Sequence, residues 1–540
     1  MKGLFLGLDC STQGLTGIVI NYDSQEIVCE EVVNYDDDLP SYHTQNGVIV
    51  DDHPTKVHSD PLMWVDALEL LFKRLNQKYD FMNRIKGISG SGQQHGTVYL
   101  SGEFEEGINH LKVKDSLKKQ LRGSLTRNTS PIWMDSSTSA QCEEIRRKLG
   151  GREEVIKITG SNTFERFSGP QIRKFYQKTP LAYRKTAKIH LVSSFMASLL
   201  VGQNAPIDHG DGAGMNLMNI REKEWDKRAV HATAPDLISK LPPLVSSNTM
   251  IGTISPYFVK KYSFSPDTII TAWSGDNPNS LIGVGLRRSG DFALSLGTSD
   301  TFFGVFEEPY LDFQEQAHIF GAPTGDYMGL ICYKNGSLAR EKIKEAFNLT
   351  WNEFSTILKN TPPGNNGKIM LPYFFPEIVP LILKPKVYRF GFGEDDCKGN
   401  VRGIIEAQFL SIRLHSKWIK ESPKIIHATG GGAANREILQ VAADIFQCPI
   451  VKFKTPNSAA LGAALRASKT YHDIKGKQIP WEIFGNIFIE KQKMDIIRPN
   501  QNNKQLYEYM IDLYKQYENY VVRNGKNPEH SRQSFIKTDF

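Results

Sequence analysis

Leu6-Gly7-Leu8-Asp9-Cys10-Ser11-Thr12-Gln13 leads into an apolar run that ends Gly17-Ile18-Val19-Ile20. In the second half of the chain, Leu294-Ser295-Leu296-Gly297-Thr298-Ser299-Asp300-Thr301 leads into Phe302-Phe303-Gly304-Val305-Phe306. Each stretch reads as strand, tight polar turn, strand, because short β-rich runs flank residues that tolerate turn geometry. Small hydroxylated turn residues leave backbone N–H and side-chain O–H groups free to hold phosphate oxygens. A loop of this kind in each half predicts two related lobes facing each other across a nucleotide.

Outward from the first loop, Glu30 to Asp52 is polar and acidic. A helix is expected from Ser59 as N-cap to about Tyr79, with Trp64, Leu68, Leu71 and Leu75 on one face. Ile85 to Ile88 reads as a strand that feeds Ser89-Gly90-Ser91-Gly92-Gln93-Gln94-His95-Gly96, and Thr97 to Leu100 returns as another. Gly102 to Thr129 is Lys-rich and reads as a surface excursion; Gly151 to Gly214 alternates helix signals with Gly-bounded loops. Asp267 to Ala272 is a strand that stops at Trp273-Ser274-Gly275-Asp276-Asn277-Pro278, and a lobe boundary is expected at Gly285 to Gly290. Beyond the second loop, Val401 to Glu421 is a long helix. Ile425 to Ala428 is a strand running into Thr429-Gly430-Gly431-Gly432-Ala433-Ala434-Asn435, and a helix follows through Phe446. Ser458 to Ala467 is a second helix whose Ala and Gly content permits close packing. The tail from Asn524 is expected to be polar and mobile. Strands alternating with helices in both halves give an α/β class.

A chain of 540 residues exceeds what one hydrophobic core supports, so two domains are expected, 1–286 and 287–523, followed by the tail 524–540. The net charge of +6 is small for this length and Lys and Arg are dispersed, which argues against a nucleic-acid partner. The six cysteines stand singly with no CxxC, so neither a zinc site nor a redox pair is signalled. Unpaired thiols suit a reducing compartment. The N-terminus enters a strand without a charged-then-apolar leader. The apolar stretch from Ile189 to Val201 is short and broken by serines, so no membrane partner is expected. The expected location is the cytoplasm.

The phosphate cradle GxxxxGK[ST] is absent, and Gly90 to Gly96 misses GxGxxG by one residue in its last spacing. Asp9, at the end of the first strand, is placed either to hold Mg²⁺, directly or through water, or to stabilise a turn. Asp276 follows a strand and a glycine and precedes Asn277-Pro278, a good helix start. The helix N-terminus is expected to keep its carboxylate ionised. It reads either as a base that deprotonates a sugar hydroxyl attacking phosphorus, or as a plain helix cap. Gly430-Gly431-Gly432 lets backbone approach a ligand, and its place after a strand suits an adenosine or its phosphates; a flexible loop is the alternative. His95 is a candidate partner for a sugar hydroxyl or a structural histidine, and Arg166 a candidate ligand residue or a surface ion-pair partner. Trp133 and Trp351 read as core or rim aromatics.

Together these segments resemble the FGGY carbohydrate kinases, in particular their D-xylulose-phosphorylating branch of the longer, eukaryote-like type. The resemblance is carried by Asp9 to Gly14, Gly90 to Gly96, Trp133-Met134-Asp135-Ser136-Ser137-Thr138, Glu165-Arg166-Phe167, Ser274 to Pro278, Ser295 to Thr301, Lys334-Asn335-Gly336-Ser337 and Gly430 to Asn435, in the family's order. It implies two actin-like lobes of ribonuclease-H type with a cleft between them. It also implies ATP-dependent phosphorylation of D-xylulose at its terminal hydroxyl, by a monomer or homodimer. Carried over by position, His95, Arg166, Asp276 and Asn277 are similar to the family's sugar-binding set, with Asp276 as base. Trp351, Gly431, Gly432 and Asn435 are similar to its adenine-nucleotide set. Thr12, Gln13 and Thr298 would sit near the phosphates, with Mg²⁺ near Asp9. Where many members carry a Lys after the first aspartate, this chain has Thr16, which removes a cation from the phosphate region. Kinases of ribulose, glycerol or a deoxyketose are rival readings. The Gln-Gln-His stretch argues against glycerol, since glycerol kinases usually carry an Arg-Glu pair there. A nucleotide switch on the actin–Hsp70 scaffold, or an inactive sugar sensor, is the rival from another class.

Overall fold

The computed structural model describes residues 3–51, 53–453, 457–484 and 495–538. The first seven-stranded sheet is built from β1 (Leu4–Cys10), β2 (Gly14–Asn21), β3 (Glu26–Asn34), β4 (Ile85–Gly92), β5 (Met250–Thr253), β6 (Ile269–Thr271) and β7 (Ser274–Gly275). Its order is β5-β6-β4-β1-β2-β3, with β7 also paired to β4. The second holds β8 (Asp291–Leu296), β9 (Asp300–Phe306), β10 (Ala317–Gly321), β11 (Tyr327–Tyr333), β12 (Ile425–Thr429), β13 (Ile450–Lys452) and β14 (Ile496–Ile497) in the order β10-β11-β9-β8-β12-β13-β14. Strands and helices alternate through both halves, the α/β class expected.

Both expected hairpins form. β1 pairs antiparallel with β2, Asp9 opposite Thr16 and Cys10 opposite Leu15; β8 pairs with β9, Leu296 opposite Asp300. Leu4 to Leu8 of β1 is an apolar run because the strand is central, covered on both faces. β3 lies in part within the stretch read as a polar acidic region. Cys29, Glu31 and Val33 are buried and alternate with exposed Glu30 and Val32, the pattern of an edge strand with one wet face, and Glu31 is paired there with Lys78 at 2.6 Å.

Helix α1 (Pro61–Lys78) is capped by Asp60, not Ser59: the Asp60 carboxylate accepts from Leu62 N at 2.8 Å, and Pro61 is a natural first helical residue. Trp64, Leu68, Leu71 and Leu75 are fully buried, as their spacing required. Gly102 to Thr129 is not a loose excursion. Two short helices, Glu103–Asn109 and Leu117–Leu121, bury Phe104, Ile108, Leu117 and Leu121, and Glu69 of α1 accepts from Leu117 N. Next come α2 (Ser168–Lys178), α3 (Asp276–Gly283), α4 (Ser337–Ala346) and α5 (Trp351–Asn360). α6 (Cys397–His415) starts earlier and ends earlier than expected, because Asp396 caps it through Gly399 N. α7 (Arg436–Phe446), α8 (Ser458–Ile474), α9 (Lys504–Arg523) and α10 (Glu529–Ile536) complete the set used below. The tail is not a free polar extension: α10 buries Phe535 and Arg532, and the Phe535 ring lies 5.4 Å from that of Tyr509 on α9.

Two elements, α8 and β10, pack across the division into halves. α8 runs past its expected end at Ala467 and lies against β1, β4 and α3 of the first half. Three glycines permit this. A Cβ at Gly7 would stand 1.9 Å from the Ala460 carbonyl oxygen, one at Gly283 1.9 Å from that of Ser458, and one at Gly462 1.9 Å from that of Asn279. Arg466 of α8 is fully buried and donates to Asn279 Oδ1 at 2.8 Å and to the carbonyls of Ala272 and Ser247. The second crossing is β10, an edge strand of the second sheet. Its Ile319 N donates to Ser161 Oγ at 3.2 Å, and Gly321 packs so close to His209 that a Cβ would meet its backbone at 2.9 Å.

Candidate functional site

β1 and β4 run parallel with Asp9 beside Ser91, and β7 pairs with β4 so that Ser274 also stands beside Ser91. Asp9 and Asp276 therefore meet at the carboxyl ends of parallel strands, where open α/β sheets place their ligands. Ser91 Oγ donates to Asp9 Oδ1 at 2.5 Å. Gly275 takes the N-cap of α3, so Asp276 is its first helical residue rather than its cap. Asp276 Oδ1 accepts from Asn277 N at 2.8 Å and Asn277 Nδ2 at 3.0 Å, and the Gln94 backbone also bonds to the carboxylate. Asn277 Nδ2 donates in addition to Gln94 Oε1 at 2.8 Å.

Contrary to expectation, the helix terminus alone does not set the ionisation of Asp276. Loss of solvation, then the neighbouring charge of Asp9, lifts its pKa to about 7, against the pull of the amides. Burial likewise lifts Asp9 to about 6. Deeper in, Asp211 is raised well above the carboxylate range by burial, with Asp208 and Asp276 adding to it, although Ser193 Oγ donates to it at 2.5 Å. Around these acids Gln94 Nε2, Ser274 Oγ and Asp211 Oδ1 have no hydrogen-bond partner among the described residues. Buried polar atoms are normally paired, so these three leave hydrogen-bonding capacity unused beside the acids.

His95 follows β4 in a left-handed turn, φ +71°. Its Nδ1 bonds to Gly214 O at 2.9 Å, and burial, with Arg166 adding to it, lowers its pKa to about 3, so the ring is neutral. Arg166 is held between Phe164 and Phe167 and bonds through Nη2 to His318 Nε2 on β10 at 2.5 Å. Gln94 bonds to Asp276, and His95, next in the chain, lies against the Phe167 ring at 4.7 Å, the ring that Arg166 and His318 also face. His95, Arg166, Asp276 and Asn277 are marked in the sequence; no local motif marks His318, which joins them only in the fold.

Thr12 and Gln13, in the first turn, line an open groove of about 940 Å³ with Lys56, Trp133 and Met134. Trp133 is a rim residue, its Nε1 donating to Thr12 Oγ1 at 2.9 Å. Thr16 faces Asp9 across the ladder and is buried, so no cation occupies that point. In the second turn, Gly336 packs against the backbone of Thr298 and Asp300. Arg340 of α4, which no local motif marks, clasps Asp300 through its two terminal guanidinium nitrogens, at 2.7 and 3.0 Å, and is fully buried there.

Trp351, Gly431, Gly432 and Asn435 line one cavity of about 600 Å³, shared with Ser337, Arg340 and Ser355. Asn435 caps α7 through Glu437 N and Ile438 N and reaches Ser355 Oγ on α5 at 2.6 Å, which fixes the two walls. Trp351 is the exposed first residue of α5, held by a capping box between Thr350 and Glu353. Gly432 rests on Leu296 of the second hairpin, so the cavity abuts that turn. Its lining shares no residue with the Asp9–Asp276 pair.

Among the described residues no three His, Cys, Asp or Glu side chains converge as a metal cage. Mg²⁺ usually takes one or two carboxylates and completes its shell with water and substrate phosphate oxygens. Asp9, with one oxygen on Ser91 and the other unassigned, fits that donor set. All six cysteines are unpaired. No helix among the described residues is long and apolar enough to cross a membrane.

Comparison with known proteins agrees with this architecture. Residues 125–283 match the N-terminal domain of the FGGY family of carbohydrate kinases, and residues 292–471 match its C-terminal domain. Xylulose kinase 2 of Arabidopsis thaliana is 44% identical over 487 residues, covering 86% of this chain and 87% of that protein. The xylulose kinase of Rattus norvegicus is 38% identical over 540 residues, covering 97% of this chain and 98% of that protein. The crystal structure of a xyloylose kinase from Brucella ovis superposes with a TM-score of 0.81 at 20% identity, covering 96% of this chain and all of that one.

Proposed function

The chain belongs to the FGGY family of carbohydrate kinases, and from that premise we propose that it transfers the terminal phosphoryl group of ATP to the end hydroxyl of D-xylulose. Residues 1–286 carry the sugar site and the base, and residues 287–523 carry the nucleotide cavity. Trp351, Gly431, Gly432 and Asn435 hold the adenosine. Thr12, Gln13 and Thr298 present the two turns to the phosphates. His95, Arg166 and Asn277 orient the sugar. Asp276 takes the proton of the end hydroxyl, whose oxygen forms the new bond to the γ-phosphorus as the bond to the departing ADP oxygen breaks. Asp9 would hold Mg²⁺, which when bound neutralises charge on the phosphates. The hairpin N–H groups stabilise the same charge and closure of the cleft excludes water. The reading places the enzyme in the cytoplasm.

What supports this reading most is the Asp9–Asp276 pair. It puts a carboxylate with a pKa of about 7, near the ideal for a base at neutral pH, amid unpartnered polar atoms at the ends of parallel strands. The test is ADP release measured over D-xylulose, D-ribulose, glycerol and a deoxyketose. D-Xylulose is expected to give the highest kcat/KM, by roughly 10²-fold. A faster rate with another acceptor would reassign the substrate. ATP hydrolysis indifferent to any sugar would favour a nucleotide switch.

Gly431 gives a cleaner probe of the nucleotide cavity. A Cβ there meets nothing within 4 Å, so Gly431→Val is expected to fold normally while filling ligand space. The KM for ATP should rise roughly tenfold or more, with the sugar KM and melting temperature unchanged. An unaltered ATP KM would remove the cavity from the proposal.

A further inference from the structure

We propose that His318, supplied by the second half of the chain, is a sugar-binding residue whose Nδ1–H donates to a carbonyl or hydroxyl oxygen of the ketose. The inference rests on the reading of His95 and Arg166 as sugar residues and deepens it.

His318 is 7% exposed, walled by Phe164 at 4.7 Å in an edge-to-face contact and by Phe167 at 5.2 Å. A guanidinium has donors and no acceptor. The Arg166 Nη2 contact therefore makes His318 Nε2 the acceptor. Burial, the adjacent Arg166 and then His95 hold the imidazole far below its ordinary pKa, so it is neutral and carries one proton. That proton is on Nδ1, which is buried and has no partner among the described residues. A buried unpaired N–H is costly, so it is kept where a ligand oxygen can accept from it. The surroundings fit a neutral polyol: aromatic faces for its C–H surface, and donors from two side chains for its oxygens. The ring is also pre-set. β10 is pinned to the first half by the Ile319–Ser161 bond and by the close approach of Gly321 to His209.

Two near-isosteres separate the two nitrogens. His318→Gln keeps an amide oxygen near the Nε2 position for Arg166 and loses the Nδ1 donor. His318→Asn keeps an N–H near the Nδ1 position and does not reach Arg166. His318→Gln is expected to raise the sugar KM roughly tenfold, with the ATP KM and melting temperature within error of wild type, and His318→Asn is expected to raise it less. The reverse order would reduce His318 to a support for Arg166 and overturn the proposal, as would a parallel rise in ATP KM or a lowered melting temperature. Arg166→Gln, assayed alongside, separates the two layers. If it leaves the sugar KM unchanged, the sugar-site reading itself fails. If it raises the KM while His318→Gln does not, only the present proposal fails. A readout without mutation is the imidazole N–H resonance of histidine-labelled wild-type enzyme. The His318 signal is expected to shift on adding D-xylulose and to stay fixed on adding ADP; a signal unmoved by D-xylulose overturns the proposal.

Discussion

Asp276→Asn is expected to lower kcat by about 10³-fold or more while raising the melting temperature of the ligand-free enzyme. The amide keeps an oxygen to accept from Asn277 N and loses the base. The stability gain follows from the sign of the pKa shift. Asp276 is raised from 3.8 to about 7, so between those values the folded state binds more protons than the unfolded one. Ionising the folded carboxyl then costs stability that grows as the pH climbs from about 4 to about 7 and is fully present above that. A shift of this size corresponds to a few kcal/mol at about 1.4 kcal/mol per pH unit. Asparagine never ionises and escapes that cost. Thermal unfolding without divalent metal should therefore show wild type and Asp276→Asn coinciding near pH 4 and separating by a few degrees above pH 7. Near-native kcat would end the base assignment. Lost activity with a lowered melting temperature would make Asp276 a structural residue.

Gly462→Ala is expected to be among the most damaging single substitutions in the chain, costing roughly 4 kcal/mol or more. Helix propensity alone favours alanine by about 1 kcal/mol. Packing overrules it, because the added methyl would lie 1.9 Å from the Asn279 carbonyl oxygen, and a backbone atom has no rotamer to retreat into. α8 must lift away from α3. Asn279 Nδ2 donates to Gly90 O at 3.2 Å and Gly275 O at 3.1 Å, and Arg466 donates to Asn279 Oδ1, so the displacement reaches the strand ends that carry Asp276. Loss of soluble protein or a large fall in melting temperature is the expected readout, with Gly107→Ala, which meets nothing within 4 Å, as the silent control. A variant as stable as wild type would mean that α8 is not seated on α3 in solution.

The parts of this molecule that could be read from sequence are those whose information is local. The two hairpins were legible because turn chemistry and β-rich flanks sit together in a few residues. The buried face of α1 was legible because Trp64, Leu68, Leu71 and Leu75 repeat at helical spacing. Asp60 displaced Ser59 as cap because the proline that follows fixes where the first turn begins. What stayed hidden depends on partners far along the chain. His318 acquires meaning only beside Arg166, 152 positions away. Arg340 reads as one charge of an amphipathic helix until Asp300 is placed against it. The composition of α8 signalled close packing, yet nothing in it said that the neighbours were Gly7 and Gly283. The ionisation of Asp276 was misjudged for the same reason: the helix end is a local cue, whereas burial and Asp9 belong to the assembled sheet.

The crossing of α8 also sets a timetable for biosynthesis. Ile474 emerges from the ribosome long after β1 and β4 have been made, and at about 5–20 residues per second the wait is tens of seconds. During that interval the nascent chain carries an uncovered apolar face on its earliest strands, a surface suited to chaperones. A gene cut between positions 286 and 287 would make the exposure permanent, so that fragment should be recovered only when the missing piece is synthesised in the same cell.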